Sequence, residues 1–139
     1  MLHLVKLAVG VRDLEHLRAI QAERAAAHPP LCHRTRQFPR RAAELADGGS
    51  IYWVIGGMLT ARQRLTDVIA AQYEDGSACA ALLLDPALVP VCPSRVRAFQ
   101  GWRYLAPAAA PPDLTRADPS GEAGLPPALR RELAALCLL

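Results

Sequence analysis

Arginines are the chemistry-bearing residues that stand out in this sequence. Between His33 and Leu65 lie Arg34, Arg36, Arg40, Arg41, Arg62 and Arg64. Only two acidic residues, Glu44 and Asp47, oppose these six, which leaves a local excess of four positive charges. The planar guanidinium group suits phosphate or carboxylate, to which it donates two parallel hydrogen bonds. The stretch therefore predicts a binding site for a phosphate-bearing ligand, either RNA or a nucleotide.

The spacing of the arginines predicts that they share one surface. Side chains two residues apart in an extended strand project from the same face, and two of the arginine pairs have this spacing. The third pair starts the helix that Pro39 predicts. If that helix start meets the strands, the guanidinium groups converge on a concave surface, where the rings of Tyr52 and Trp53 could stack on a base. The expected ligand-binding residues are the six arginines together with Tyr52, Trp53, Gln63, Trp102 and Arg103.

The same residues also have an ordinary structural interpretation. Arginine supplies 15 of the 16 cationic side chains, so some of the six are expected to be solvated or paired in salt bridges. Gln63 faces the other side of its strand, where it is either a buried amide bonded to backbone or an amide that reads a base. Trp53 and Trp102 are either core residues, each with a partner for its indole N–H, or ligand contacts.

A small hydrolase and a protein-binding adaptor are the competing functional classes. A hydrolase would use Ser50 with Glu44 or Asp47 and a histidine, although the sequence lacks the G-x-S-x-G elbow, a phosphate loop and a dinucleotide fingerprint. In an adaptor the arginines would meet an acidic protein surface. No catalytic residue is assigned, and enzymatic activity stays open. We expect no cofactor, because these nucleotide-binding motifs are absent from the sequence. We expect no metal site, because the four cysteines are scattered without a C-x-x-C pair.

Size and composition are those of one globular domain. The chain has 139 residues, of which 52% are hydrophobic, and a formal net charge of only +3, so an anion site must be local rather than a bulk property. The N-terminal stretch lacks a convincing signal-peptide pattern, and no apolar run is long enough to span a bilayer. The scattered cysteines are typical of small buried residues in a reducing compartment. We expect a cytoplasmic protein with no membrane association; its oligomeric state stays open.

The pattern of elements predicts an α+β fold. Ser50 to Ile55 is β-branched and aromatic, which favours a buried strand, and Gly56-Gly57 lets Met58 to Ile69 return as its antiparallel neighbour. A strand from Leu2 to Val9 and a helix from Asp13 to about Ala27 precede it, and FQGWRYL closes the sheet. We expect a curved, mainly antiparallel sheet or a partly closed small β-barrel, with two or three helices.

A change of composition follows Leu105. Residues 1–105 are expected to form the single α+β domain, and residues 106–124, rich in Pro and Ala, a linker. Leu129, Leu133 and Leu136 share one face of a short C-terminal helix expected over residues 125–139.

Several blocks together carry a resemblance to a known family. In this order and at this spacing, the blocks HRTR, PRRAAEL, DGGSIYWVI, ARQRL, EDG, LLLDP and FQGWRYL resemble the proteobacterial domain of unknown function 1489 family, over about Leu2 to Leu105. This resemblance implies no particular activity or mechanism. The order of strand, helix, basic helix start, aromatic strand and closing strands is also similar to the small β-barrels of the PUA and ASCH group. This second resemblance implies binding of RNA or a modified nucleotide.

Overall fold

The computed structural model describes residues 1–114, which form one mixed sheet and two α-helices. The elements in chain order are β1 (His3–Leu7), α1 (Leu14–Ala27), β2 (Cys32–Thr35), α2 (Ala42–Ala46), β3 (Ser50–Ile55), β4 (Met58–Gln72), β5 (Ala78–Arg95), β6 (Trp102–Leu105) and a short 3-10 helix (Pro107–Ala109). This architecture confirms the predicted α+β class. Among these residues no helix has both the length and the apolar character needed to cross a membrane.

The sheet is curved and open, with the strand order β2-β5-β4-β3-β1-β6. Only the pair β1–β3 is parallel, and the other four pairs are antiparallel, as the prediction of a mainly antiparallel sheet requires. Strands β2 and β6 are the two edges within residues 1–114, so closure into a barrel is not observed there.

The predicted central strand is confirmed in detail. All six residues of β3 are buried, and β3 pairs with β4 in the register Ser50↔Arg64 and Tyr52↔Arg62. Side chains alternate between the two faces of a strand, so Tyr52 and Trp53 point to opposite sides of the sheet. Each belongs to a different apolar cluster, which defines the two faces used below.

The helix face is the side of the sheet on which α1 packs. Its cluster contains Leu4, Ile51, Trp53 and Leu82, with Leu17 contributed by the helix. The opposite side is called the strap face, because the segment after β5 crosses it. Its cluster contains Tyr52, Val54 and Val91, against which Phe99, Leu105 and Ala110 pack.

Helix α1 forms where capping and apolar spacing predict it. The Asp13 carboxylate accepts a hydrogen bond from the backbone N–H of His16 at 2.8 Å and so caps the first turn. Leu17 and Gln21, four residues apart, are its buried residues, because positions four apart lie on one face of a helix. A polar residue at a core position requires a hydrogen-bond partner, and Gln21 is hydrogen-bonded to Gln63 of the sheet.

Helix α2 is short and begins later than Pro39 predicts, at Ala42. Arg40 and Arg41 therefore precede the helix instead of forming its first turn. The chain leaves it through Gly49, whose missing side chain is essential: a Cβ atom there would lie 2.1 Å from the Leu2 carbonyl oxygen and 2.4 Å from that of Leu45. This close approach brings β3 directly beside β1.

Strands β4 and β5 form one long bent hairpin. Its register shifts between Leu59 and Ala61, between Gln63 and Leu65, and again at Asp67, and such bulges bend a strand and increase its twist. Strand β5 runs through Asp85 and Pro86 without a turn and continues to Arg95. The bend brings the turn end of the hairpin, to which β2 is paired, over the helix face, where His33 of β2 contacts Trp53.

The cysteines follow the expectation only in part. Cys32 and Cys79 are free thiols, and Cys79 is buried like a small apolar residue. Cys92 is disulfide-bonded, so the expectation of reduced cysteines is wrong for this residue.

The segment after β6 contacts the sheet as far as the structure describes it. The Cys92 backbone N–H donates to the Pro112 carbonyl at 2.9 Å, and Asp113 forms a bridge with Val91. The Arg62 guanidinium donates two hydrogen bonds to the Asp113 carboxylate, at 2.6 and 2.7 Å. The remainder of the expected linker and the C-terminal helix lie outside the described residues, so the division of the chain at Leu105 stays a prediction.

One buried amide links four elements. Gln63 in β4 is fully buried, and its Oε1 accepts hydrogen bonds from Gln21 Nε2 at 2.9 Å and from Trp53 Nε1 at 3.1 Å. Its Nε2 donates to Gln21 Oε1 at 2.7 Å and to the Asp85 carbonyl at 2.8 Å. An amide side chain has two donors and two acceptor positions, so Gln63 is completely satisfied. Of the two interpretations of Gln63, the structure supports the buried structural amide.

We predict that Gln63→Leu destabilises the protein by about 3 kcal/mol, because it leaves the Gln21 amide, the indole N–H and a carbonyl buried without partners. Urea unfolding followed by circular dichroism measures this change. Gln72→Leu is the matched control, since Gln72 is exposed on the same strand and should shift stability by no more than about 0.5 kcal/mol. Equal effects of the two substitutions would contradict the role given to the network.

Candidate ligand-binding cleft

A cleft opens on the helix face between β1, α1 and β2. One depression, here called the inner cavity, has a volume of about 170 Å³ and is walled by Trp53, Leu17 and Leu84. A second, here called the outer groove, has a volume of about 550 Å³. The two share Arg24, Cys32 and His33 in their linings and therefore adjoin. The outer groove is lined in addition by His28, Arg34 and Glu74.

Lys6 reaches the inner cavity because of its position in β1. It is the cross-strand partner of Trp53 in β3 and of Trp102 in β6, and residues directly opposite one another on paired strands share a face. Lys6 therefore lies between two indole rings on the helix face. Burial there lowers the pKa of its ammonium group, because desolvation disfavours the charged form.

Helix α1 supplies one cation of the cleft, Arg24. Arg24 lies three residues after the buried Gln21, at the end of the helix, and lines both the inner cavity and the outer groove. The His28 N–H donates to the Arg24 carbonyl at 2.8 Å and ends the helix there. Because α1 stops at this point, it does not cover the outer groove.

Strand β2 places His33 against the wall of the cleft. The imidazole meets the Trp53 ring edge-on, with the ring centroids 5.4 Å apart and the planes at 89°. Its Nε2 atom is buried without a hydrogen-bond partner. A buried polar atom of this kind is uncommon. His33 Nε2 is therefore available for a hydrogen bond in the cleft.

The electrostatics of the cleft keep His33 neutral. Burial lowers its pKa to about 4, and the positive charges of Lys6 and Arg24 act in the same direction. A neutral imidazole carries one N–H, so Nε2 can take part in one further hydrogen bond as donor or acceptor. The remaining charges of the lining are cationic at Lys6, Arg24 and Arg34 and anionic at Glu74. The cleft therefore has an excess of positive charge.

The structure does not bring the six arginines of the sequence analysis together. Arg34 lies in the outer groove, while Arg36 and Arg40 are exposed in the segment between β2 and α2. Arg62 and Arg64 share a face with Tyr52, so they lie on the strap face, across the sheet from the cleft. Whether any of them binds a ligand stays a prediction.

Two of the six arginines are held by carboxylates. The Arg41 guanidinium forms an ion pair with Glu44 and lies over the Tyr104 ring, 5.7 Å from its centroid. The Arg62 guanidinium is bound at both oxygens of Asp113. These contacts agree with the alternative in which part of the arginine set is structural.

The expected aromatic contacts are mainly buried. Tyr52 is 4% exposed, and its ring packs edge-on against His3 with centroids 5.1 Å apart. Trp53 lines the inner cavity, but its indole N–H is occupied by Gln63. Trp102 is half-buried against the Tyr104 ring, and Arg103 lies over Phe99 on the strap face. Of these residues, Trp53 is the one that lines the cleft.

The residues of the hydrolase alternative are also placed. Ser50 is buried beside His3, but His3 Nδ1 accepts a hydrogen bond from the backbone N–H of Ser50 at 2.9 Å. The Ser50 hydroxyl oxygen has Arg62 Nη1 as its neighbour, at 3.4 Å. Glu44 is paired with Arg41, and no hydrogen bond among residues 1–114 joins a histidine to the hydroxyl. The hydrolase alternative stays a prediction.

The comparisons with known proteins identify a family and nothing closer. A family model described as "Protein of unknown function (DUF1489)" matches residues 4–139. The chain belongs to the DUF1489 family. The match confirms the resemblance seen in the sequence blocks and extends it beyond Leu105 to the C-terminus. No curated protein and no solved structure matches the chain.

Sequence reasoning missed most of the cleft of this DUF1489 protein. Lys6 and Arg24 were not among the expected ligand-binding residues, since each is isolated in sequence from the arginine-rich stretch. The signal that was available is composition: Lys6 is the single lysine of a chain with 16 basic residues. His33 heads the HRTR block, but its burial against Trp53 depends on the curl of the sheet and has no local signature.

We predict that His33 makes the protein less stable as the pH falls from about 6.5 to 4. In this range the unfolded imidazole takes up a proton while the folded one stays neutral, so unfolding binds a proton and acidification favours it. Wild type should lose up to about 3 kcal/mol more than His33→Phe between pH 7 and pH 4. Urea unfolding at both pH values measures the difference. An imidazole titration midpoint near 6.5 in the NMR spectrum of the folded protein would contradict the prediction.

Proposed function

We propose that this DUF1489 protein is a cytoplasmic binding module for a phosphate-bearing ligand, a nucleotide or an RNA, and that the cleft is its binding site. The observation that carries the proposal is the presence of Lys6, Arg24 and Arg34 in the linings of two adjoining depressions, next to a buried imidazole nitrogen without a partner among the described residues. Guanidinium groups at the mouth of a concave site are suited to phosphate oxygens.

The shape of the cleft favours a single nucleotide unit, free or at the end of an RNA. The outer groove, at about 550 Å³, lies within the range of small-molecule sites, which is roughly 300 to 1,000 Å³. A long nucleic acid instead needs a charged track that neutralises many phosphates, whereas three cations lie in this cleft. The phosphates would contact Arg24 and Arg34 in the outer groove, and the rest of the ligand would extend toward Trp53.

The pattern similarity to PUA and ASCH barrels is compatible with this proposal. That resemblance implies RNA or a modified nucleotide as the ligand. It supports the proposed function only, because barrel closure is not observed among residues 1–114. A cytoplasmic location fits such a ligand and likewise stays a prediction, and the disulfide bond of Cys92 counts against it because disulfides are rare in a reducing compartment.

We expect Arg24→Ala and Arg34→Ala each to weaken nucleotide binding by about tenfold or more, because a charge-assisted hydrogen bond contributes roughly 1.5 to 3 kcal/mol. Isothermal titration calorimetry with a panel of nucleoside mono- and triphosphates and a short 5′-phosphorylated RNA is the measurement. Arg24→Lys should recover only part of the affinity, because lysine keeps the charge but not the fork.

Two arginines outside the cleft serve as matched controls for charge. Arg64→Ala and Arg40→Ala remove the same charge from exposed positions and should change the affinity less than twofold. If these controls weakened binding while the cleft variants did not, the arginine surface of the sequence analysis would be the site. Absence of salt-sensitive binding to every member of the panel would reject the proposed function.

A further inference from the structure

The use of lysine in this chain is selective. Fifteen of its 16 basic residues are arginine, and the single lysine, Lys6, lines the inner cavity. A role that needed only positive charge is served elsewhere in the chain by arginine. Lysine differs from arginine in one chemical respect that matters in a cavity: it can lose its proton and become a nucleophile, whereas the guanidinium group stays protonated.

The surroundings of Lys6 make its ammonium group easier to deprotonate. Trp53 and Trp102 are its cross-strand partners and lie on the same face of the sheet. Within residues 1–114 it makes no ion pair, so no carboxylate there stabilises the ammonium ion. Desolvation by burial lowers its pKa. An amine that loses its proton more readily in an apolar pocket is the usual form of an activated lysine.

A second group in the same cavity is suited to hold a carbonyl oxygen. His33 and Lys6 both line the inner cavity, and the charge of Lys6 adds to the burial that lowers the pKa of the imidazole. The imidazole is neutral, and its Nε2 atom is buried without a hydrogen-bond partner among the described residues. A neutral imidazole whose Nε2 carries the proton can donate one hydrogen bond to an oxygen on which negative charge develops.

We infer that the inner cavity binds a small aldehyde or ketone and that the Lys6 amine forms an imine with it, while the neutral His33 imidazole donates a hydrogen bond to the carbonyl oxygen. The neutral amine attacks the carbonyl carbon, and a C–N bond forms as the C–O π bond breaks. One proton moves from the nitrogen to the oxygen through solvent and gives a carbinolamine. The hydroxyl oxygen takes a second proton from solvent, the C–O bond breaks, water leaves, and the nitrogen electron pair forms the C=N bond of a protonated imine. No oxidant or reductant is consumed.

The chemical class of the carbonyl compound rests on the proposed function. If phosphate binds at Arg24 and Arg34, the carbonyl compound that reacts with Lys6 carries a phosphate group. Imine formation itself needs only the inner cavity, so the two ideas can fail separately.

Reductive trapping tests the inference with a matched pair of probes, glycolaldehyde and glycolaldehyde phosphate. Each is incubated with the full chain and sodium cyanoborohydride, and the labelled position and its rate are read by peptide mass spectrometry. Because the chain has one lysine, a label on Lys6 is distinguished from a label on the N-terminal amine without ambiguity. An N-acetylated peptide of residues 2–10, which contains the same lysine in water, is the reference.

We expect Lys6 in the folded protein to be trapped at least about tenfold faster than the lysine of the peptide, and glycolaldehyde phosphate to react faster than glycolaldehyde. His33→Phe keeps a ring against Trp53 but has no nitrogen, and it should slow trapping of Lys6 by about tenfold with an unchanged circular dichroism spectrum. Trapping of Lys6 at the rate of the peptide, or at the wild-type rate in His33→Phe, would overturn the inference. Fast trapping with equal rates for the two probes would support the imine and count against the phosphate site.

Discussion

The hydrogen bonds of Gln63 are the constraint on which the cleft depends. This one amide joins α1 through Gln21, β3 through the Trp53 indole, and β5 through a backbone carbonyl. A planar amide with every donor and acceptor used tolerates little movement of its partners, because each lost bond would leave a buried polar group unpaired. The network therefore fixes both the distance of α1 from the sheet and the orientation of the tryptophan that walls the inner cavity. A polar core residue here determines the shape of a site that it does not line.

The curvature of the sheet is the second condition. Strands β2 and β3 are separated in the sheet by β5 and β4. Neighbouring strands are about 4.8 Å apart, so in a flat sheet β2 and β3 would be about 14 Å apart. The ring centroids of His33 and Trp53 are nevertheless 5.4 Å apart. The register shifts of the β4–β5 hairpin explain this contact, because they bend the turn end of the hairpin, to which β2 is paired, over the helix face. The cleft is the space that remains between this curled edge and β1.

Local signals were sufficient for most of the fold. The capping Asp13, the β-branched strand Ser50 to Ile55 and the Gly56-Gly57 reversal all depend on neighbouring residues in sequence, and each appears where predicted. The path of β5 has no comparable local signal, since bulges in β4 let it continue through Asp85 as one long strand. The cleft was not predicted. It combines residues from β1, α1 and β2, and their meeting depends on sheet curvature and helix length, which no short sequence window contains.

The two faces of the sheet explain why the arginine-rich stretch and the cleft do not coincide. Tyr52 and Trp53 are adjacent in β3 and so project to opposite sides, which separates the two aromatic rings that the sequence interpretation placed together. On the strap face, residues after β5 cover the sheet, and the Asp113 carboxylate forms a salt bridge with the Arg62 guanidinium. On the helix face, α1 ends at His28 and leaves the space beside β2 open. Among residues 1–114, the position of the cleft is thus decided by how far each covering segment extends. The number of arginines on a face does not decide it.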